Sequence, residues 1–331
     1  MRYSVAGAVL TGALMIGGPA IAEPPQDPHG ILTLQGENDA VSTRRGTTDE
    51  YYTSGLRLGF TTGTDGVPEP LAGLGRTVWG NGVQRVSFDL SQSIFTPHNT
   101  QANPPNPNDR PYAGWLRVGV QLLTDKDDSR SVLGLSLGVV GPGSLGRQVQ
   151  NGFHDLIGDP STKGWHEQLR DEPTLQLLAG RTYRLPLRSV GPVETDVLPS
   201  LTVGIGNVRD YAQAGLVFRV GQGLNSDFGV SRIEPGFSGG DAYTPTRPFA
   251  WYLFAGASGQ VVGRDLFLDG NSFRNSPSVG HRVFVGEAVA GVAMMLAGVR
   301  VTYQQVFQSP EFNRQRAGLF NFGSLTASVR F

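Results

Sequence analysis

The feature that most limits the fold is an alternation of apolar with small polar residues, renewed in pieces of about ten. Val86, Phe88, Leu90 and Ile94 alternate with Ser87, Asp89, Ser91 and Ser93. Leu133, Leu135, Leu137 and Val139 alternate with Gly134, Ser136 and Gly138; the chain ends in the same way, on Leu325, Ala327, Val329 and Phe331. A period of two is that of a strand whose successive side chains face opposite sides of a sheet. A consistently apolar face set against a small polar one predicts lipid on one side and a lumen on the other. A soluble sandwich or barrel has the same period but turns its polar residues to the water outside.

Such segments fall near 31–38, 51–62, 84–95, 112–124, 131–140, 172–183, 193–205, 212–221, 249–259, 282–294, 297–308 and 319–331. The even number suits a single-chain bacterial barrel whose two ends share one side of the membrane. The expected fold is all-β, a twelve-stranded antiparallel transmembrane β-barrel with a short helix in an extracellular loop. With both ends periplasmic, the connections 39–50, 96–111, 141–171 and 260–281 lie outside the cell. Two long connections, 63–83 and 222–248, then fall on the periplasmic side, where short turns are the rule.

Residues 1–22 read as a Sec-type signal peptide, with Arg2, an apolar run from Val5 to Ile16, and Ala20-Ile21-Ala22 before the cut. The barrel is then 23–331, placed in the bacterial outer membrane among its lipids and expected to act as a monomer. The absence of cysteine removes disulfides, thiolate metal sites and a cysteine nucleophile. A net charge of −1 gives no reason to expect nucleic acid as a partner.

One stretch, Gly141 to Arg170, breaks the strand rhythm, and a long insertion of this kind is usually functional. From Gln148 to Ile157 it has helical spacing, with Val149, Phe153 and Leu156 on one face and Gln150 and His154 on a neighbouring polar one. Two further polar clusters reach the same rim: Glu37-Asn38-Asp39 after the first strand, and Thr48 to Gly55 at the second. Carboxylate and amide oxygens suit a hard cation such as Ca²⁺, and an imidazole suits a base that activates water. His29, His98, His166 and His281 read as solvated side chains. The GxSxG matches at Gly134–Gly138 and Gly236–Gly240 lack the strand-to-helix turn that a nucleophile elbow needs.

Asn38-Asp39, the run Asp49 to Leu56, Asp109 to Trp115, and Gly138 to Pro142 followed by Gln150, Asn151 and His154 resemble the outer-membrane lipid A 3′-O-deacylase family. The matches run in family order over the mature chain and are densest between 36 and 172. The resemblance implies a twelve-stranded barrel with a Ca²⁺-dependent site between its wall and a helix from an outer loop. The implied activity is hydrolysis of the ester that holds the 3′-acyloxyacyl chain of lipid A in lipopolysaccharide. By the same resemblance His154, Asn38, Asp39 and Thr53 are the catalytic set, and Asn38, Asp39, Thr53 and Asp159 the metal set. Asp159 matches a family acid with a spacing one residue shorter. The family's lysine in the second outer loop has no counterpart between Thr96 and Pro111, so its role is absent or falls to Arg110.

The mechanism expected is a His154-activated water attacking an ester polarised by Ca²⁺ near Asn38 and Asp39. Arg44, Arg45, Arg110 and Arg147, with Lys163, would meet lipid A phosphates. The same residues also permit Thr53 or Ser54 as a nucleophile activated by His154. The other readings are an outer-membrane phospholipase and a non-catalytic barrel, either a small channel or a surface-binding protein.

Overall fold

The computed structural model describes residues 26–41, 49–233 and 240–331. The signal-peptide reading, Arg44, Arg45 and most of the second GxSxG match lie outside the described residues. The strands are β1 (Ile31–Asn38), β2 (Tyr51–Thr61), β3 (Val83–Thr96), β4 (Ala113–Asp125), β5 (Ser129–Val140), β6 (Glu172–Tyr183) and β7 (Leu185–Val190). They continue as β8 (Val193–Gly206), β9 (Arg209–Gln222), β10 (Phe249–Asp265), β11 (Phe284–Leu296), β12 (Val299–Gln308) and β13 (Phe320–Arg330). Every neighbour is antiparallel.

These segments make the twelve wall strands read from the sequence, because β6 and β7 are two parts of one. β6 pairs with the upper part of β8, from Gln176 opposite Gly206 to Thr182 opposite Ser200. β7 pairs with its beginning, from Leu185 opposite Val197 to Val190 opposite Val193. The break falls at Arg184, whose N–H bonds Asp128 O and whose guanidinium turns inward to Asp227 O at 2.9 Å. β7 is exposed throughout and projects past the wall.

The sheet closes where β1 meets β13, from Ile31 opposite Arg330 to Asn38 opposite Gly323. Closure is obligatory, because hydrocarbon offers no partner to an unpaired backbone N–H or C=O. The two faces separate as the alternation demands. Leu34, Leu58, Leu90 and Val118 are exposed on the outside, whereas Thr33, Gln35, Ser91 and Thr326 are buried within.

The long periplasmic connection after β9 does not hang free below the barrel. Its described parts, 223–233 and 240–248, fold up into the lumen and are held there by buried ion pairs. Asp227 meets Arg219 at 2.6 Å and Arg300 at 3.1 Å, and accepts from Tyr252 Oη at 2.9 Å. Asp241 meets Arg57 at 2.6 Å, and Arg232 meets Glu287 at 3.1 Å. Above this plug the short helix α3 (Leu266–Asp269) sets Phe267 on Phe95 with ring centroids 4.1 Å apart. A cavity of about 140 Å³ remains between plug and wall, lined in part by Trp115, Gln176, Tyr211 and Ile233. The unusual length of 222–248 is thus explained by its work as an internal plug. The connection 63–83 stays on the periplasmic side and carries the helix α1 (Glu69–Trp79).

A buried charge stripped of its partner is far more costly than the pair is worth. Asp227→Ala strips Arg300 of its carboxylate and leaves Arg219 with Asp196 alone, and should destabilise the barrel by about 3–5 kcal/mol. The check is the temperature at which the folded, fast-migrating band disappears from unboiled SDS gels. An unchanged temperature would contradict this account of the lumen.

Candidate active site

The helix α2 (Gly146–Ile157) lies against the outer face of the wall, over the tops of β3 and β4. Two glycines permit that approach. A Cβ built on Gly114 would come within 3.0 Å of Gly146 Cα and 2.2 Å of Ser144 Oγ, so neither strand nor helix has room for one. Gln92, on the outer face of β3, donates to Ser144 O at 2.6 Å. The returning chain then wedges Trp165 behind the helix. Its indole N–H reaches Gln150 Oε1 at 2.8 Å, and its ring lies 5.0 Å from that of Tyr112. Gly158, in the left-handed region at φ 78°, ends the helix and turns the chain back.

This packing turns the polar face of α2 to the wall. Gly146, Gln150 and His154 are its buried residues, one turn apart. An amphipathic helix on a water-soluble core would show the opposite side. His154 Nδ1 lies 2.9 Å from Pro160 O, and a carbonyl there fixes the proton on Nδ1. His154 Nε2 lies 2.7 Å from Asp49 Oδ2. Two lone-pair-bearing atoms at that separation hold a proton between them, so His154 and Asp49 form one proton-sharing unit.

Asp49 comes from the opening hairpin, as the sequence clusters required, and its backbone is strained. Asp49 and Tyr51 have φ of 60° and 62°, a conformation that side-chain-bearing residues rarely adopt. The turn between them is pinned from several directions. Thr96 Oγ1 donates to Asp49 O at 2.9 Å, and Glu50 N donates to Asp39 Oδ2 at 2.6 Å. Glu50 Oε2 meets His98 Nδ1 at 2.6 Å, and His98 Nε2 in turn accepts from Arg316 at 2.7 Å. Burial is the main force holding the Asp49 carboxyl above its usual range; the charge of Asp159 adds to it and His154 opposes it.

Asp39 is the second acid of the site. It is buried, and one oxygen, Oδ1, has no hydrogen-bond partner. Burial first, then the charges of Asp49 and Glu50, push its carboxyl well above the ordinary carboxylate range. An orphaned carboxylate oxygen among acids is chemistry that a hard cation relieves. Asn38 Oδ1 accepts from Ala40 N at 2.6 Å and shapes the turn that carries Asp39. Thr53 lies at a bulge in β2, with its hydroxyl 2.7 Å from that of Thr96. Among the described residues no group of three or more His, Asp or Glu is arranged around a metal position.

The structure therefore brings His154, Asp39, Asn38 and Thr53 to one edge of the wall and sets Asp159 close enough to act on Asp49. Other expectations need correction. Arg110 does not face the outer surface: it is buried, paired with Glu311 at 3.0 Å and stacked over Phe95 at 5.1 Å. It is thereby removed from the substrate-binding set. Arg147 is exposed on α2. His98, His29 and His281 each bond a carboxylate, and of the four His29 and His166 are exposed. Ser136 lies in mid-β5 and accepts from Arg117 at 3.2 Å, with no helix after it. Asp49 and Glu50 stood in a polar cluster whose turn residues are common at strand ends, so their pairing with two histidines could not be read from spacing.

The profile of the family described as Outer membrane protein LpxR matches residues 8–331. Among solved structures, LpxR from Salmonella typhimurium superposes with a TM-score of 0.76 at 19% identity, covering 91% of this chain and 100% of that one. The β domain of the Bordetella autotransporter BrkA gives 0.42 at 11% identity, over 92% and 98% of the two chains. The translocator domain of the autotransporter NalP from Neisseria meningitidis gives 0.39 at 11%, over 92% and 87%. No curated protein matches the chain.

A carboxyl whose folded pKa is raised favours the fold at low pH and opposes it as pH rises through that pKa. Asp39→Asn, tested in EDTA, should therefore raise the unfolding temperature of the barrel at pH 8, with the gain shrinking toward pH 4. A gain that grows on acidification would show that burial does not govern this carboxyl.

Proposed function

Because the chain belongs to the LpxR family of outer membrane proteins, we propose that it is a lipid A 3′-O-deacylase, hydrolysing the ester of the 3′-acyloxyacyl chain of lipopolysaccharide at the outer leaflet. One observation carries this reading. The buried His154–Asp49 unit stands at the outer face of the wall, close enough to Asp39 for the charge of Asp49 to act on its carboxyl. An acid–base pair at that position meets a lipid ester, not a solute passing through a pore. The plugged lumen argues in the same direction, since a channel needs a clear path.

In the resting unit a proton is held between His154 Nε2 and Asp49 Oδ2. Once it has left, Nε2 can accept a proton from water, while Pro160 O holds Nδ1–H and the ring orientation. The water oxygen bonds the ester carbon, its proton passes to Nε2, and collapse of the tetrahedral adduct expels the sugar alkoxide, which takes the proton back. Asp39 with Asn38 would hold a Ca²⁺ ion, with Thr53 and Asp159 nearby; when bound it supplies positive charge to the developing oxyanion. Asp49 keeps the imidazole aimed and tunes when the proton departs.

The nucleophilic-hydroxyl alternative has less support. Thr53 Oγ1 is engaged with Thr96. Of the four arginines first set aside for lipid phosphates, Arg147 is the one described residue that is exposed.

The test is mass spectrometry of lipid A from cells producing the wild-type protein or His154→Gln. Wild-type cells should lose the 3′-acyloxyacyl mass. The variant should lower the rate by about 10²–10⁴, the usual worth of a general base. With purified protein, EDTA should cost about 10²–10³ in rate, restored by Ca²⁺. Unaltered lipid A in all cells would overturn the assignment.

A further inference from the structure

Sorted around α2 at about 100° per residue, its side chains fall into three successive sectors. The first, Gly146, Gln150 and His154, faces the wall. The second, Arg147, Asn151, Asp155 and Gln148, is polar. The third holds Phe153 and Leu156, which are 52% and 81% exposed, with Val149 packed in part on Ile94, Tyr112 and Trp165. Leu145, just before the helix, adds another exposed apolar side chain. A helix with one side on protein, one polar and one apolar matches an element lying along a membrane interface.

The wall beside it supports that placement. On the outer face of the first hairpin, Asn38 pairs with Ser54, the next outward pair is Gly36 with Leu56, and the next is Leu34 with Leu58. At about 3.4 Å per residue, the polar pair stands roughly 7 Å along the strands from the start of the lipid-facing belt. On β4 and β5 the outward pair Leu116 and Val139 comes immediately below Gly114, on which α2 rests. The apolar side of α2 is therefore continuous with the belt.

We infer that the third sector of α2 is docked among the acyl chains of the outer leaflet, so that the bilayer forms one wall of the site and the crevice opens sideways into it. The occupant of this face is lipid hydrocarbon. The consequence for substrate rests on the deacylase reading: an acylated lipid slides in laterally, with its ester at the Asn38–Ser54 level and its chain along Leu56 and Leu58.

The lack of cysteine makes a clean test available. Single nitroxide labels are placed through Phe153→Cys and Leu156→Cys in the full barrel reconstituted in phospholipid vesicles. Gln148→Cys serves as the aqueous control and Leu90→Cys as the belt control. Collision with oxygen, which concentrates in hydrocarbon, is compared with collision with a water-soluble nickel chelate. Labels at 153 and 156 should favour oxygen, as at 90, while the label at 148 favours nickel. Nickel preference at 153 and 156 would overturn the inference, and so would exclusion of both reagents, which would mean a protein partner such as a second copy. The measurement needs no turnover, so its failure is separate from failure of the deacylase reading.

Discussion

Everything in this molecule depends on the pairing of β1 with β13. Lipid satisfies no backbone hydrogen bond, so a sheet in the membrane must return to its own first strand. That requirement fixes the register, and the register fixes which side chains look outward. Asn38 and Ser54 end opposite one another on the lipid side because they occupy the last outward positions before the hairpin turns. The third outer loop can then cover them from outside, since the ring gives every loop a neighbour.

Inside and outside divide the labour. The lumen is filled by arginine–carboxylate pairs anchored on a plug, which makes a stiff cylinder. The outer edge carries the strained turn at Asp49–Tyr51, the orphaned oxygen of Asp39 and the His154 unit. Strain of this type survives only where surrounding contacts over-determine it, and here five segments supply those contacts: the turn after β1, β3, the 97–112 loop, α2 and the last outer loop.

The wall was legible in the sequence because period two is a direct consequence of pleating. The break at Arg184 was not, since a strand interrupted by one inward-turned residue keeps its alternation on both sides. The plug was hidden for a different reason. Its charges Asp227, Arg232 and Asp241 find their partners Arg219, Arg300, Glu287 and Arg57 on strands that only the closed ring brings around them. At the candidate site, the roles proposed for His154, Asn38, Asp39 and Thr53 rest on family resemblance and residue chemistry, and the structure adds that these residues meet at one edge of the wall. Arg110 was misplaced because a charged residue in a loop is ordinarily solvated, whereas here Glu311 and Phe95 draw it inward. His98 escaped because its two partners lie 48 and 218 residues away.

The contact of Gly114 with Gly146 has a consequence for how α2 is held against the wall. The separation between helix and wall is set by backbone atoms touching at two hydrogen side chains, so it is a spacer of fixed gauge. Lengthening or shortening the side chains around it alters the lining but not that gauge. Any side chain at either glycine would push α2 off the wall and carry His154 away from Asp49.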